Sequence, residues 1–198
     1  MLLGKKIFRD CPTPDIECCE CQWSNSCQEA TIQAILSDCK SFYYVYCWLD
    51  QESKMPVNNG NQEQFDEKID RYIKKLAAQP NLMIPKCTNG AFAVELAMKF
   101  LYAREHKSYD NIHNLKDLFQ HLPEIHKDEL LDRIKIQAHQ TEETIEAQLP
   151  FFSDAFVRSR YFFEHGSFGL SGLFDPFVKI VCEYALEFDE PDEFEVIE

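Results

Sequence analysis

Apolar side chains recur at intervals of three and four along most of this sequence. Ile32, Ile35, Leu36, Cys39, Phe42, Tyr43, Tyr46 and Leu49 fall on one face of the stretch that starts near Cys27. That period predicts an amphipathic helix of about six turns. A polar loop with Pro56, Asn58, Asn59, Gly60 and Asn61 ends it. Phe65, Ile69, Tyr72, Ile73 and Leu76 then predict a second helix over about 64–78, and Pro80 and Pro85 bracket the connection that follows.

The third helix, expected over about 88–105, has a different pattern. Ala91, Phe92, Ala93, Val94, Leu96, Ala97, Met98, Phe100, Leu101 and Tyr102 leave no polar side, so this helix is expected at the centre of the fold, buried all round. Glu95 and Lys99 interrupt it one turn apart. A buried charge needs a partner. Lys99 reaches Glu95 by the i,i+4 route, and Glu95 has Arg160 as a second candidate.

After a turn containing His113, Leu115, Leu118, Phe119 and Leu122 predict a fourth helix that Pro123 stops, with Asn111 or Asn114 as its cap. His113 is expected to be a turn residue bonded to backbone. A fifth helix is expected from about Lys127 through Leu131, Ile134, Ala138, Ile145 and Leu149, ended by Pro150. Ser153 is expected to cap a short sixth helix to His165, with Gly166 behind it. A last helix carries Phe177, Val178, Val181, Ala185 and Leu186. No strand pattern remains. The fold class is all-α, an up-and-down antiparallel bundle of six to seven helices. It spans residues 26–188, behind a cysteine-rich loop over 1–25 and ahead of an acidic tail over 189–198.

Composition narrows the functional classes. The 198 residues carry 34 Asp+Glu against 20 Lys+Arg, a net charge of −14. Such a field opposes nucleic-acid binding by bulk electrostatics and leaves only a local basic site for it. Residues Glu187 to Glu198 hold seven acids and no base, half of the net charge, and read as a solvated tail. No run approaches about 18 apolar residues, so no membrane span is expected. The N-terminus lacks the order of a signal peptide, and the expected location is the cytoplasm.

Six of the nine cysteines lie in the first 40 residues. Without a signal peptide they are expected to be free thiols, some buried in helices, rather than a disulfide framework. Cys18, Cys21 and Cys27 have a C-x2-C-x5-C spacing that supplies three thiolates to a zinc ion, but no second C-x2-C follows. No cofactor is expected.

Several catalytic signatures are missing, among them the P-loop, G-x-S-x-G and H-E-x-x-H. What stands out is Arg158-Ser-Arg160-Tyr-Phe-Phe-Glu164-His165. Arg158 and His165 are seven apart and share a helix face. Arg160 and His165 are five apart, about 140° round an ideal helix. An Arg with a His suits cleavage of an RNA phosphodiester. The imidazole takes the 2′-hydroxyl proton or protonates the leaving oxygen, and the guanidinium neutralises the phosphate without a metal. The attack by a 2′-hydroxyl selects RNA over DNA.

The stretch Asn89 to His165 resembles a HEPN domain, the helical family of prokaryotic defence and toxin–antitoxin systems. N-G-A-F-A-V-E-L-A-M-K-F-L, Asn89 to Leu101, is similar to the family's buried A-x-E-L-x-x-K-x-L helix. H-N-L-K-D-L-F, His113 to Phe119, follows it. F-V-R-S-R-Y-F-F-E-H, Phe156 to His165, resembles both the R-Y-x-Y-E block and the R-x4–6-H ribonuclease signature. The resemblance implies a bundle that dimerises, with Arg and His of two chains forming a composite ribonuclease site. On this sequence R-x4-H maps to Arg160 and His165, and R-x6-H to Arg158 and His165. The polar Ser159 after Arg158 favours Arg158 as the catalytic arginine, and R-Y-x-Y-E makes Arg160 structural. Glu95, Lys99, Glu164 and His113 are then supporting residues. The implied activity is a metal-independent endoribonuclease, a toxin or phage-defence effector acting as a homodimer. The alternative is a non-catalytic module that binds a nucleotidyltransferase-type antitoxin or a nucleotide.

Overall fold

The computed structural model describes residues 25–54, 56, 60, 62–78, 82–108, 112–160 and 172–189. Among them stand seven α-helices and no strand: α1 (Asn25–Ser53), α2 (Gln62–Ala78), α3 (Met83–His106), α4 (Leu115–His121), α5 (Glu124–Gln137), α6 (Glu142–Arg160) and α7 (Phe174–Leu186). The all-α bundle expected from the periodicity is the observed fold. Among the described residues no helix is long and apolar enough to cross a membrane.

Helix α3 lies at the centre and packs against α1, α4, α6 and α7. Ala91, Ala93, Val94, Ala97, Met98, Phe100 and Leu101 are buried on it, and Phe92, Leu96 and Tyr102 are half-buried. The unbroken apolar circumference is thus consumed by four neighbours. The helix starts earlier than expected, at Met83, so that Pro85 sits in its first turn. There a proline costs little, because that N–H has no acceptor within the helix. At the other end Lys107 turns left-handed (φ 54°), and its N–H closes on the Ala103 carbonyl.

Two further boundaries differ from the sequence expectation. The continuous helix over 127–149 is two helices, because His139 adopts a left-handed φ of 53° between α5 and α6. Thr141 restarts the chain: its carbonyl takes the Ile145 N–H at 3.1 Å and its hydroxyl the Thr144 N–H at 3.4 Å. Pro150, in turn, does not end a helix but lies inside α6. Pro150 and Glu146, whose carbonyl loses its donor, are both exposed, so water can serve that carbonyl. Ile145, Leu149 and Phe152 are buried on the opposite side. Ser153 therefore caps no helix of its own. It is a mid-helix residue whose hydroxyl reaches the Leu149 carbonyl at 3.1 Å.

Helix α2 lies at the margin. Its Phe65, Ile69 and Tyr72 are half-buried, Ile73 is exposed, and the Tyr72 hydroxyl donates to the Ser53 carbonyl at 3.0 Å. The buried thiols Cys39, Cys87 and Cys182 and the half-buried Cys47 are free, as expected of these four. Burial pushes the Cys87 thiol up to about 12, which keeps it protonated and unreactive.

Helices α1 and α3 approach closely at Gly90. A Cβ there would stand 2.8 Å from Cδ2 of Tyr46 and 3.2 Å from Cγ2 of Val178. Tyr46 cannot swing away, because it is fully buried and its hydroxyl is tied to Asp175 at 2.9 Å. Gly90→Ala should therefore destabilise the protein by about 1–3 kcal/mol, although alanine in an exposed helix interior stabilises by about 1 kcal/mol. Urea unfolding checks this; a more stable variant would mean that the Tyr46 ring gives way.

Candidate functional site

The interruption of α3 by Glu95 and Lys99 organises one polar cluster. Glu95 is 4% exposed and Lys99 9%. Lys99 Nζ donates to Glu95 Oε1 at 2.9 Å, the i,i+4 pair read from the sequence. The same oxygen lies 2.8 Å from His113 Nδ1. His113 is thus not the backbone-bonded turn residue expected; a buried carboxylate 18 positions away holds its ring. Its side chain is 70% exposed. Glu95 Oε2 is buried and has no hydrogen-bond partner among the described residues.

The backbone next to His113 is fixed from two sides. Asn114 caps α4, its Oδ1 accepting from Lys116 N at 3.0 Å and Asp117 N at 3.1 Å. The Ser153 hydroxyl of α6 lies 3.3 Å from that same oxygen and accepts the Lys116 N–H at 3.3 Å. Of the two cap candidates, Asn114 is the one used; Asn111 lies outside the described residues.

The backbone of α6 extends as helix through Arg158 to Arg160. The side chains of both arginines, and Glu164 and His165 altogether, lie outside the described residues, as do Gly166, Cys18 and Cys21. Cys27 is placed on α1 by its backbone, and its thiol is likewise outside them. Whether Arg160 meets Glu95 is therefore not part of the described geometry.

Two clusters were not read from the sequence. In the first, Lys86 and Asp50 are 5% and 6% exposed. Lys86 Nζ lies 2.8 Å from Asp50 Oδ1 and 2.8 Å from Asp175 Oδ2. The Tyr46 hydroxyl donates to Asp175 Oδ1, and Lys54 and Lys179 reach Asp50 Oδ2 at 3.0 and 3.3 Å. Burial pushes the Asp50 carboxyl up, but the bonds from Lys86 and Lys54 outweigh it and hold it below the usual carboxylate range. Lys86 is pushed down by burial and up, by more, through Asp175 and Asp50. The network ties α1, α3 and α7 together through four carboxylate–ammonium contacts.

The second holds His126, 3% exposed on α5. Its Nδ1 lies 2.7 Å from the Tyr184 hydroxyl, and its Nε2 3.4 Å from Glu105 Oε1. Phe188 and Tyr184 meet the ring edge-on. Burial pushes His126 down, against Glu105 and with Arg104. Around it Arg133 stacks over Tyr184 and grips Glu187, with Nη2 on Oε2 at 2.8 Å. Both of these clusters have a buried centre and reach the surface through ammonium and carboxylate side chains, among them Lys54 and Glu187. The Glu95 cluster differs in that it ends in an exposed imidazole, the form in which a titratable ring meets a ligand.

The Asp50 carboxyl stabilises the fold where it is ionised. Its contribution is present above the unfolded value of about 3.9 and is lost as pH falls through the lower folded value. Asp50→Asn should therefore destabilise at pH 7 and show a shallower loss of stability than the parent below about pH 4. Lys86→Met should cost about 3–5 kcal/mol, since it leaves two carboxylates facing each other. Urea midpoints across pH 2–7 check both; a Lys86→Met protein within about 1 kcal/mol of the parent would show that the network carries no net stability.

Comparison with protein-family models, with curated proteins and with solved structures finds no match for this chain.

Proposed function

We propose that this chain is a metal-independent endoribonuclease of HEPN type, a toxin or phage-defence effector that works as a homodimer. One observation carries the reading furthest. Arg158 and Arg160 are on the same unbroken helix as Ser153, which bonds the cap beside His113. They follow Ser153 by five and seven residues, about 7.5 and 10.5 Å along the axis. Helix α6, which packs on α3 and α4 and bonds the cap beside His113, thus carries the backbone of Arg158 and Arg160. The burial of α3 also fits its resemblance to the family's buried A-x-E-L-x-x-K-x-L helix.

In this reading one arginine neutralises the phosphate and His165 exchanges the proton, with a second copy completing the site. RNA reaches a protein of net charge −14 only at that local basic segment. The same charge favours a second reading, a non-catalytic HEPN module that binds a nucleotidyltransferase-type antitoxin or a nucleotide.

Incubation of the purified protein with total RNA in chelator separates the two. The ribonuclease cleaves, and His165→Ala abolishes cleavage with little change in melting temperature. Arg158→Ala and Arg160→Ala identify the phosphate ligand by which of them loses at least about 10²-fold in rate. Cleavage that survives in His165→Ala contradicts this mechanism, and no cleavage by the parent moves the protein to the binding-module reading.

A further inference from the structure

The ring of His126 closes a three-way aromatic contact. It meets Phe188 edge-on with centroids 5.6 Å apart and Tyr184 at 5.7 Å, and Tyr184 and Phe188 meet each other edge-on at 5.2 Å. Arg104 of α3 lies over the Phe188 ring at 4.2 Å, and Arg133 of α5 over the Tyr184 ring at 4.6 Å. A neutral imidazole suits this place. Its Nε2, 3.4 Å from Glu105 Oε1, carries the proton, so Nδ1 accepts from the Tyr184 hydroxyl. Besides Tyr184, the ionisable groups around the rings are Arg104 and Glu105 of α3, Glu129 and Arg133 of α5, and Glu187 just past α7. Arg133 takes up Glu129 and both oxygens of Glu187. Arg104 and Glu105, of opposite sign, then stand beside the ring. A second proton turns Nδ1 into a donor, and the Tyr184 hydroxyl can no longer donate to it. That proton also puts a charge on a ring that is 3% exposed. Burial opposes the charge, Glu105 offsets burial in part, and Arg104 adds to it.

We propose that His126 is a pH-sensitive latch: its protonation releases the end of α7, from Tyr184 to Asp189, from α3 and α5 while the rest of the bundle stays folded. The release is local because of how α7 is held. Phe177, Val178, Val181 and Cys182 are buried in the core. Past Leu186 the chain closes in a tight turn, with the Phe188 N–H on the Ala185 carbonyl at 3.3 Å and the Asp189 N–H on the Leu186 carbonyl at 3.1 Å. Such helix ends open at the lowest cost. Side chains of three other helices hold the turn in place: Arg133 on Glu187, Arg104 on Phe188, and Lys40 of α1 on Asp189. In the open form the His126 ring meets water and binds the proton more tightly than in the closed form. Closure is therefore favoured at neutral pH and weakens as pH falls below the unfolded value of about 6.5. Each unit below that value favours opening by up to about tenfold, until the closed form also takes the proton. The latch holds or fails independently of ribonuclease activity.

The test is a pH titration of the full-length protein by NMR, from about pH 7.5 to about pH 5, for the parent and His126→Gln. In the parent the His126 ring signals should titrate below about 6.5. With them the Phe188 and Tyr184 ring signals should lose their dispersion and the Arg133 Nε–H signal should vanish, while the signals of Val94, Phe100 and Val181 stay in place. In His126→Gln the Phe188 signals should not move over this range. The titration of the parent decides by itself if His126→Gln does not fold. A His126 midpoint at or above about 6.5 overturns the latch, because Glu105 then captures the charged ring in the closed form. A His126 that titrates while Phe188 stays in place overturns it too. So does a Phe188 that moves only together with Val94 and Phe100, since that is unfolding of the whole molecule. Phe188 signals that still titrate in His126→Gln assign the opening to the carboxylates instead and equally contradict the proposal.

Discussion

A helix that is buried on every side cannot carry a charge unless another element brings the counter-charge to it. Helix α3 carries three such charges, Lys86, Glu95 and Lys99, and much of the surrounding structure answers to them. Lys86 draws Asp50 from the end of α1 and Asp175 from the start of α7. Those two bonds fix the axial positions of both helices against α3, which apolar packing alone would leave free to slide. Glu95 and Lys99 pair within the helix, and the same Glu95 oxygen then takes His113 ahead of α4. Tyr46 joins the two kinds of constraint: its ring lies on Gly90 of α3 and its hydroxyl on Asp175 of α7.

Local features of this fold are legible in the sequence. The i,i+4 spacing of Glu95 and Lys99 gives their pairing, the apolar circumference gives the central place of α3, and Asn114 before Leu115 gives the cap of α4. Features that depend on distant partners are not. Lys86 precedes the first residue of the expected third helix, because Pro85 reads as a helix boundary until its first-turn position is seen. Its partners are 36 and 89 positions away, and nothing local marks Asp50 or Asp175 out from other acids. The break at His139 is invisible because Leu131, Ile134, Ala138, Ile145 and Leu149 keep helical spacing across it, although Thr141 followed by Glu142 and Glu143 is a helix-start signal. Pro150 misleads in the opposite direction, since only its exposed position within α6 makes the lost bond tolerable.

The candidate site follows the same division. The sequence singles out Arg158, Arg160 and His165 by residue type and spacing, and Glu95 by its burial. It gives no means of finding that Glu95 orients His113, because the contact spans the turn between α3 and α4. Of the three polar clusters with buried centres, those around Lys86 and His126 reach the surface through ion-paired carboxylates and ammoniums. The one around Glu95 opens outward through an imidazole, at the end of the bundle where α4 and α6 are bonded together. The two networks are separated along a single helix, with Lys86 near its N-terminus and Glu95 just past its middle.

The central claim is that α3, clamped by its charges, is the last part of the molecule to open. Native-state amide hydrogen exchange tests it directly. The amides from Cys87 to Ala103 should exchange only through global unfolding, with opening free energies equal to the stability from urea melts, while those of α2 exchange through cheaper local opening. Exchange from α3 by a local route, at rates matching α2, would contradict the account.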